Sequence, residues 1–222
     1  MKVRYLGHSA FRIETGEFVV LIDPFVEINK DYDYRADNIT HILVTHGHGD
    51  HLGSALQIAK AKNALIVGVF ELANYCSKYG VNALGLNLGG WVELPFGLVQ
   101  FTPALHSSSF ANGEYAGCPA GILMNIEGKT LFHAGDSALT QEYKTLRELN
   151  EIELAMLPVG GLYTMGVKEA AIAASWLGVK QVIPMHYNTF NAIEVDINLF
   201  EEEIKKQGTI PRILKYCEEI EL

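Results

Sequence analysis

The sequence predicts an α/β fold in which sheets pack face to face and carry helices on their outer surfaces. Three observations predict it. Strands crowd the first 45 residues, helices then alternate with strands, and the runs at 42–44 and 154–157 are apolar throughout. Such continuous apolar runs are what strands buried on both faces require.

Residues 2–6, 10–14 and 18–23 are rich in apolar and β-branched side chains, and Thr15-Gly16-Glu17 supplies a hairpin turn between the last two. Asp23-Pro24-Phe25 ends the third strand, and the polar residues 27–38 form a loop. Residues 39–45 read as a short, mostly buried strand. A helix over 54–62 starts with a cap at Ser54. A strand over 64–69 and a helix over 71–79 follow, with Gly80 as the stop. Two strands lie between Gly90 and Thr102, around Pro95-Phe96-Gly97, and residues 103–119 form a loop rich in Ser, Gly and Asn.

Residues 120–127 and 130–133 pair as a hairpin through Gly128-Lys129. A helix over 140–150 precedes a strand over 153–158. A helix over 168–177 ends at Gly178, before a strand over 181–185. An amphipathic helix over 196–207 leads into a last strand, 212–216. No linker or low-complexity tract interrupts the chain, so residues 1–222 are expected to form one domain. Two roughly similar halves, each a strand run followed by helices, are compatible with this order.

Composition narrows the function classes. With 222 residues the chain can bury a sizeable core, and 49% hydrophobic with 19% charged residues is an ordinary globular profile. A formal net charge of −9 disfavours nucleic acid, which rewards clustered Lys and Arg, and an anionic membrane surface. Cys76, Cys118 and Cys217 are widely spaced and form no C-x-x-C, which fits free thiols in a reducing compartment. Residues 1–11 lack the apolar core of a signal peptide, and no stretch has the length of a membrane span. A cytoplasmic protein is expected. Its oligomeric state stays open, a homo-oligomer being compatible.

The chemistry concentrates in His46-Gly47-His48-Gly49-Asp50-His51, which places four potential metal ligands in six residues at a strand end. Imidazole with carboxylate suits zinc, manganese, iron or nickel, and the absence of cysteine argues against a closed structural zinc. The two glycines permit a sharp turn that aims successive side chains at one point. Three further candidates follow the ends of apolar strands: His106, Asp136 in His133-Ala134-Gly135-Asp136-Ser137, and His186 in Pro184-Met185-His186-Tyr187. Alone, each would read as a hydrogen-bonded or turn residue. Together with the cluster they supply what a two-metal site needs.

The ordered set H-x-H-x-D-H, single His, single Asp and final His resembles the metallo-β-lactamase superfamily over nearly the whole chain. Gly7-His8-Ser9-Ala10-Phe11, Leu21-Ile22-Asp23-Pro24-Phe25, Pro158-Val159-Gly160-Gly161 with Thr164-Met165-Gly166, and Pro184-Met185-His186-Tyr187 narrow it further. They resemble the metal-dependent hydrolases related to ascorbate-6-phosphate lactonase. This resemblance implies a four-layer αββα sandwich with the site at one edge of the sheets. It puts His46, His48 and His106 on one metal, Asp50, His51 and His186 on a second, and Asp136 between them. Two divalent ions are implied, zinc or manganese first, with nickel or iron as further candidates.

The candidate catalytic residues are Asp50, as a proton relay, with His8 and Tyr187. His8 is open between substrate or proton handling and a structural role, and Tyr187 and Asn188 between donation to a developing oxyanion and loop packing. Asp23 either orients a ligand imidazole or caps a turn. His133 is expected in the core or behind the ligands, His41 in a strand, and Tyr163 with Met165 at a pocket lip or an exposed loop. The leading expectation is hydrolysis of a small-molecule substrate, a lactone or phosphoester. A nuclease or phosphodiesterase, an iron-dependent dioxygenase of the same fold, and a metal-binding protein without turnover are the alternatives.

Overall fold

Hydrophobic periodicity becomes two seven-stranded sheets in the computed structural model, which describes every residue from Met1 to Leu222. The first sheet contains β1 (Lys2–Gly7), β2 (Ala10–Thr15), β3 (Phe18–Ile22), β4 (His41–Leu43), β5 (Leu65–Val69) and β6 (Ala83–Leu86). The second contains β7 (Trp91–Leu94), β8 (Gly97–Pro103), β9 (Ala120–Ile126), β10 (Lys129–His133), β11 (Ile152–Pro158), β12 (Gln181–Met185) and β13 (Ile210–Pro211). The last strand, β14 (Glu219–Glu221), returns to the first sheet and pairs antiparallel with β1.

Each sheet follows one plan. β1, β2 and β3 are antiparallel, after which β3 to β6 run parallel. β7 to β10 are likewise antiparallel, after which β10 to β13 run parallel. The central parallel strands β4, β5, β11 and β12 are buried along almost their whole length, as strands with helices on their outer faces are.

Six helices supply that cover: α1 (Gly49–Leu52), α2 (Ala55–Lys62), α3 (Phe70–Ser77), α4 (Glu142–Leu149), α5 (Val167–Leu177) and α6 (Ile197–Lys206). α2 and α3 pack on β5 and β6, while α5 and α6 pack on β11 and β13. Helix, sheet, sheet and helix give the four-layer αββα sandwich. Gly178 closes α5 in a left-handed conformation, φ +63, its N–H reaching the Ser175 carbonyl.

A cluster of 60 buried apolar residues joins the facing sides of both sheets and the helices packed on their outer faces. Phe11 of β2 faces His133 of β10 at 5.6 Å between ring centroids. Large side chains such as Phe11, Phe101, Phe132 and Leu21 are wholly or almost wholly removed from water, each contributing about 1.5–3 kcal/mol. No helix is long and apolar enough to cross a membrane.

Three local expectations are corrected. The strand expected over 212–216 is instead the two-residue β13 at Ile210–Pro211, and the chain turns afterwards to let β14 reach β1. β6 and β14 are additional strands. Ser54 precedes α2 without capping it, since its hydroxyl donates to Glu27 Oε1 at 2.6 Å.

This topology gathers the carboxyl ends of strands from both sheets at one edge. Ligand sites of open α/β sheets form in such places because helices and loops leave a crevice there.

Candidate metal centre

Four strand ends deliver the donors. β4 runs into Thr45 and then His46, whose buried turn continues through Gly47 to α1, which carries Asp50 and His51. Gly47 is a steric requirement, because a Cβ there would lie 2.2 Å from the Ala116 Cβ. Gly49, by contrast, faces open space, so only one of the two glycines is demanded by packing. His106 follows β8, and its loop is tied to the next by the Leu105 N–H donating to Ser137 Oγ at 3.1 Å. Asp136 follows β10 and His186 follows β12.

The seven side chains meet. His46, His48 and His106 form one group whose donor atoms lie within 4.8 Å of one another, and His46, His51 and Asp136 form another. A third unites Asp50, His51 and His186 with His8, which becomes a neighbour of the donors. Asp136 stands between groups: Oδ1 is 3.2 Å from His51 Nε2, while Oδ2 is 3.4 Å from His106 Nε2 and 3.1 Å from His186 Nε2. Asp50 Oδ2 lies 3.6 Å from His186 Nε2.

The surrounding hydrogen bonds say which nitrogens are bare. Thr45 Oγ1 donates its only proton to Asp23 Oδ2 at 2.6 Å, so His46 Nδ1, 3.0 Å away, must donate to Thr45. A neutral His46 then presents Nε2 as a lone pair, 2.9 Å from His48 Nδ1. Asp23 also accepts from His51 Nδ1 at 2.7 Å. That leaves His51 Nε2 aimed at Asp136, and both His51 Nε2 and Asp136 Oδ1 lack a hydrogen-bonding partner. With His51 neutral, those buried lone pairs face each other at 3.2 Å, an arrangement that is costly unless a proton or a metal ion lies between them. The donor set fits metal ions.

Electrostatics point the same way. Burial pushes His46 well below its ordinary pKa, and burial likewise lowers His48 and His106. Burial would also lower His51, but Asp136 and Asp23 outweigh it and hold that imidazole well above its usual value. His186 is pushed up to about 9, burial being overcome by Asp136 and Asp50. Asp136 stays well below the usual carboxylate range because His51 and His186 outweigh its burial. Without metal, protons on two imidazoles supply the positive charge that two buried carboxylates demand, and metal binding displaces them.

Above the donors opens a cleft of about 160 Å³, lined by His48, Asp50, His106, Ser107, Asp136, Tyr163 and His186. Ser107 carries no pattern that sequence could flag beyond its place after His106. Thr189, which reaches His8, is a second such residue.

Tyr187 points elsewhere. It does not line the cleft, and its side chain packs against the core near Tyr216, where burial raises its pKa. His186 at φ +55 redirects the chain, so the next side chain leaves the site. Asn188 spends its amide on its own loop, donating to the Val195 carbonyl at 3.1 Å and accepting from the Val195 N–H at 2.7 Å. Tyr163 takes the place at the mouth, whereas Met165 is buried. His133 is a core residue satisfied on both nitrogens, by the Ser9 carbonyl and the Gly135 N–H. His41 lies in β4, packed against Phe96 at 4.9 Å.

A sandwich of this topology with His and Asp donors at its strand ends defines a metallo-hydrolase architecture. The sequence profile described as a beta-lactamase superfamily domain matches residues 2–186. A UPF0173 metal-dependent hydrolase of Bacillus cereus is 47% identical over the full length of both chains. The one from Geobacillus thermodenitrificans is 49% identical, covering 90% of this chain and 91% of that one. Among solved structures, the metallo hydrolase Igni18 of the archaeon Ignicoccus hospitalis superposes with a TM-score of 0.91 at 33% identity, covering 99% of this chain and 97% of the other. The chain belongs to the beta-lactamase superfamily, among its UPF0173 metal-dependent hydrolases.

Proposed function

We propose that the chain hydrolyses a small carbonyl substrate, a lactone or ester, at a dinuclear centre. His46, His48 and His106 hold one ion, Asp50, His51 and His186 the other, and Asp136 lies between. The observation that carries this reading is the position of Asp136, whose two oxygens face imidazoles of both groups at 3.1–3.4 Å. Two divalent ions, zinc or manganese first and nickel or iron within the range of such donors, supply when bound an acidified water and polarisation of the substrate oxygen.

The protein's own residues do the rest. Asp50, whose side chain is partly open to the cleft, is placed to accept the proton of the attacking water and return it to the leaving group. Ser107 and Tyr163 offer hydroxyl donors at the mouth, where a carbonyl oxygen gains charge. The small volume and the lack of any Lys or Arg in the lining favour a small carbonyl compound over a phosphoester or a nucleic acid. Three free thiols fit a reducing cytoplasm.

Elemental analysis of the purified protein, followed by parallel assays on a lactone panel and an aryl phosphodiester, tests this. About two ions per chain with lactone turnover is expected. One iron per chain with oxygen consumption would replace this reading with the dioxygenase, and phosphodiester turnover alone would replace the substrate class.

A further inference from the structure

His8 lies outside the seven-residue donor set, yet it touches both sides of the second group. It occupies the turn between β1 and β2 at φ +52, a conformation that non-glycine residues seldom adopt. Its side chain is wholly buried, with the rings of His186, Phe190 and Phe25 at 4.2, 5.5 and 5.8 Å between centroids. It is absent from the cleft lining, so a substrate there does not reach it.

Its bonds run in two directions. The His8 carbonyl accepts the His186 N–H at 2.8 Å and the Tyr5 hydroxyl at 3.0 Å. Its Nε2 stands 3.1 Å from Asp50 Oδ2, and its Nδ1 stands 3.0 Å from Thr189 Oγ1. An ionised carboxylate has only acceptors, so His8 Nε2–H donates to Asp50, while Nδ1 pairs with the Thr189 hydroxyl, whose single proton has both this nitrogen at 3.0 Å and the Tyr187 carbonyl at 3.3 Å in reach. One residue thereby holds a carboxylate from the first sheet's loop by its side chain and an imidazole from the second sheet's loop by its backbone. Asp50 needs such a hold, because its side chain is 30% exposed on a helix of only four residues.

We propose that His8 is a positioning residue, a clamp that fixes the Asp50 carboxylate against His186 and so shapes the second cation site. The proposal rests on the two-ion reading above. Strain at φ +52 is what such a clamp costs, since a residue held in that conformation needs a reason in its surroundings. Partners of this kind, one bond removed from a metal, typically change metal affinity about 10–100-fold.

The test is a cobalt(II) titration, followed by visible absorption, of wild type, His8→Asn and His8→Gln, with urea unfolding of each metal-free protein as the folding control. Asparagine tolerates positive φ, but its amide ends near the Nδ1 position, within reach of Thr189 and short of Asp50. Glutamine places an N–H donor near the Nε2 position. We expect His8→Asn to take the first ion as wild type does and the second about 10–100-fold more weakly, with an altered spectrum for that ion. His8→Gln should recover most of the loss. Two equally tight ions in His8→Asn, or no recovery in a folded His8→Gln, overturn the clamp.

A wild type that takes only one ion overturns the two-ion reading instead. The clamp is then decided by a double-mutant cycle of His8→Asn with Asp50→Asn in the metal-free protein. Non-additive losses uphold it, and additive losses overturn it.

Discussion

Asp23 and His51, 28 positions apart in sequence, share a 2.7 Å hydrogen bond in a region from which solvent is wholly excluded. The same carboxylate accepts from the Thr45 N–H at 2.8 Å and the Thr45 hydroxyl at 2.6 Å. One buried acid therefore sets the tautomers of two donors, His51 directly and His46 through Thr45. A carboxylate behind a ligand imidazole fixes its orientation and raises its basicity.

Replacing Asp23 by Asn should accordingly weaken zinc binding about 10–100-fold, because the amide can present a donor where His51 already donates. Metal-free protein should also lose about 1.5–3 kcal/mol, the range for hydrogen bonds to charged groups. Chelator competition and urea unfolding measure the two effects. Wild-type affinity in Asp23→Asn would leave Asp23 a purely structural acid.

Removing donors separates the roles of residues within the proposed centre. His48→Ala takes away one of three imidazoles from the first group, and we expect no measurable turnover of any substrate the wild type accepts. Asp136→Asn keeps the shape of the residue between the groups but removes its charge. Metal content should fall while far-ultraviolet circular dichroism stays that of the wild type. Retained activity in His48→Ala, or unchanged metal content in Asp136→Asn, would remove that residue from the centre.

Much of this site is legible without the fold. The donors follow strands whose apolar character is plain, and the crowding of three imidazoles and a carboxylate around Gly47 has no cheap structural explanation. What stays hidden has physical causes. Strand β6 reads Ala83-Leu84-Gly85-Leu86, short and half-buried, with Gly85 present because a Cβ would press on the Phe70 backbone at 2.9 Å. Strand β14 carries glutamates on both sides of Ile220, as an edge strand does to discourage further pairing. The direction of the Tyr187 side chain is not legible, because the positive φ at His186 that sets it depends on the tertiary surroundings and not on a sequence signal. Ser107 and Thr189 are single residues whose roles depend on where distant loops meet.

The two glycines of the histidine loop should behave differently when each becomes alanine. Gly47→Ala forces a Cβ to within 2.2 Å of the Ala116 Cβ, so it should cost about 1–3 kcal/mol and displace His46 and His48. Ala116→Gly in the same chain should restore much of the loss by removing the opposing methyl. Gly49 has nothing within 4 Å and begins a helix, so alanine there should be neutral or stabilise by up to about 1 kcal/mol. Urea midpoints of the three variants decide this, and a Gly47→Ala protein as stable as wild type would show that the loop yields.

Acid stability has a determinant outside the histidine cluster. Asp37 accepts from Arg12 Nε at 2.6 Å, Arg12 Nη2 at 2.9 Å and the Tyr32 hydroxyl at 2.8 Å. Burial would raise its pKa, but the Arg12 and Tyr32 hydrogen bonds outweigh that and hold it below the ordinary carboxylate value. A carboxyl with a depressed folded-state pKa contributes stability that is fully present above its unfolded pKa, about 3.9, and is lost as pH falls through the folded value. Because the pair is partly open to solvent, Asp37→Asn should cost about 1–2 kcal/mol at pH 7, within the lower range for charged hydrogen bonds. The gap between variant and wild type should hold from pH 7 to about 4 and narrow steadily below that. A gap that stays constant down to about pH 2 would mean that the Arg12–Asp37 contact contributes shape and not charge.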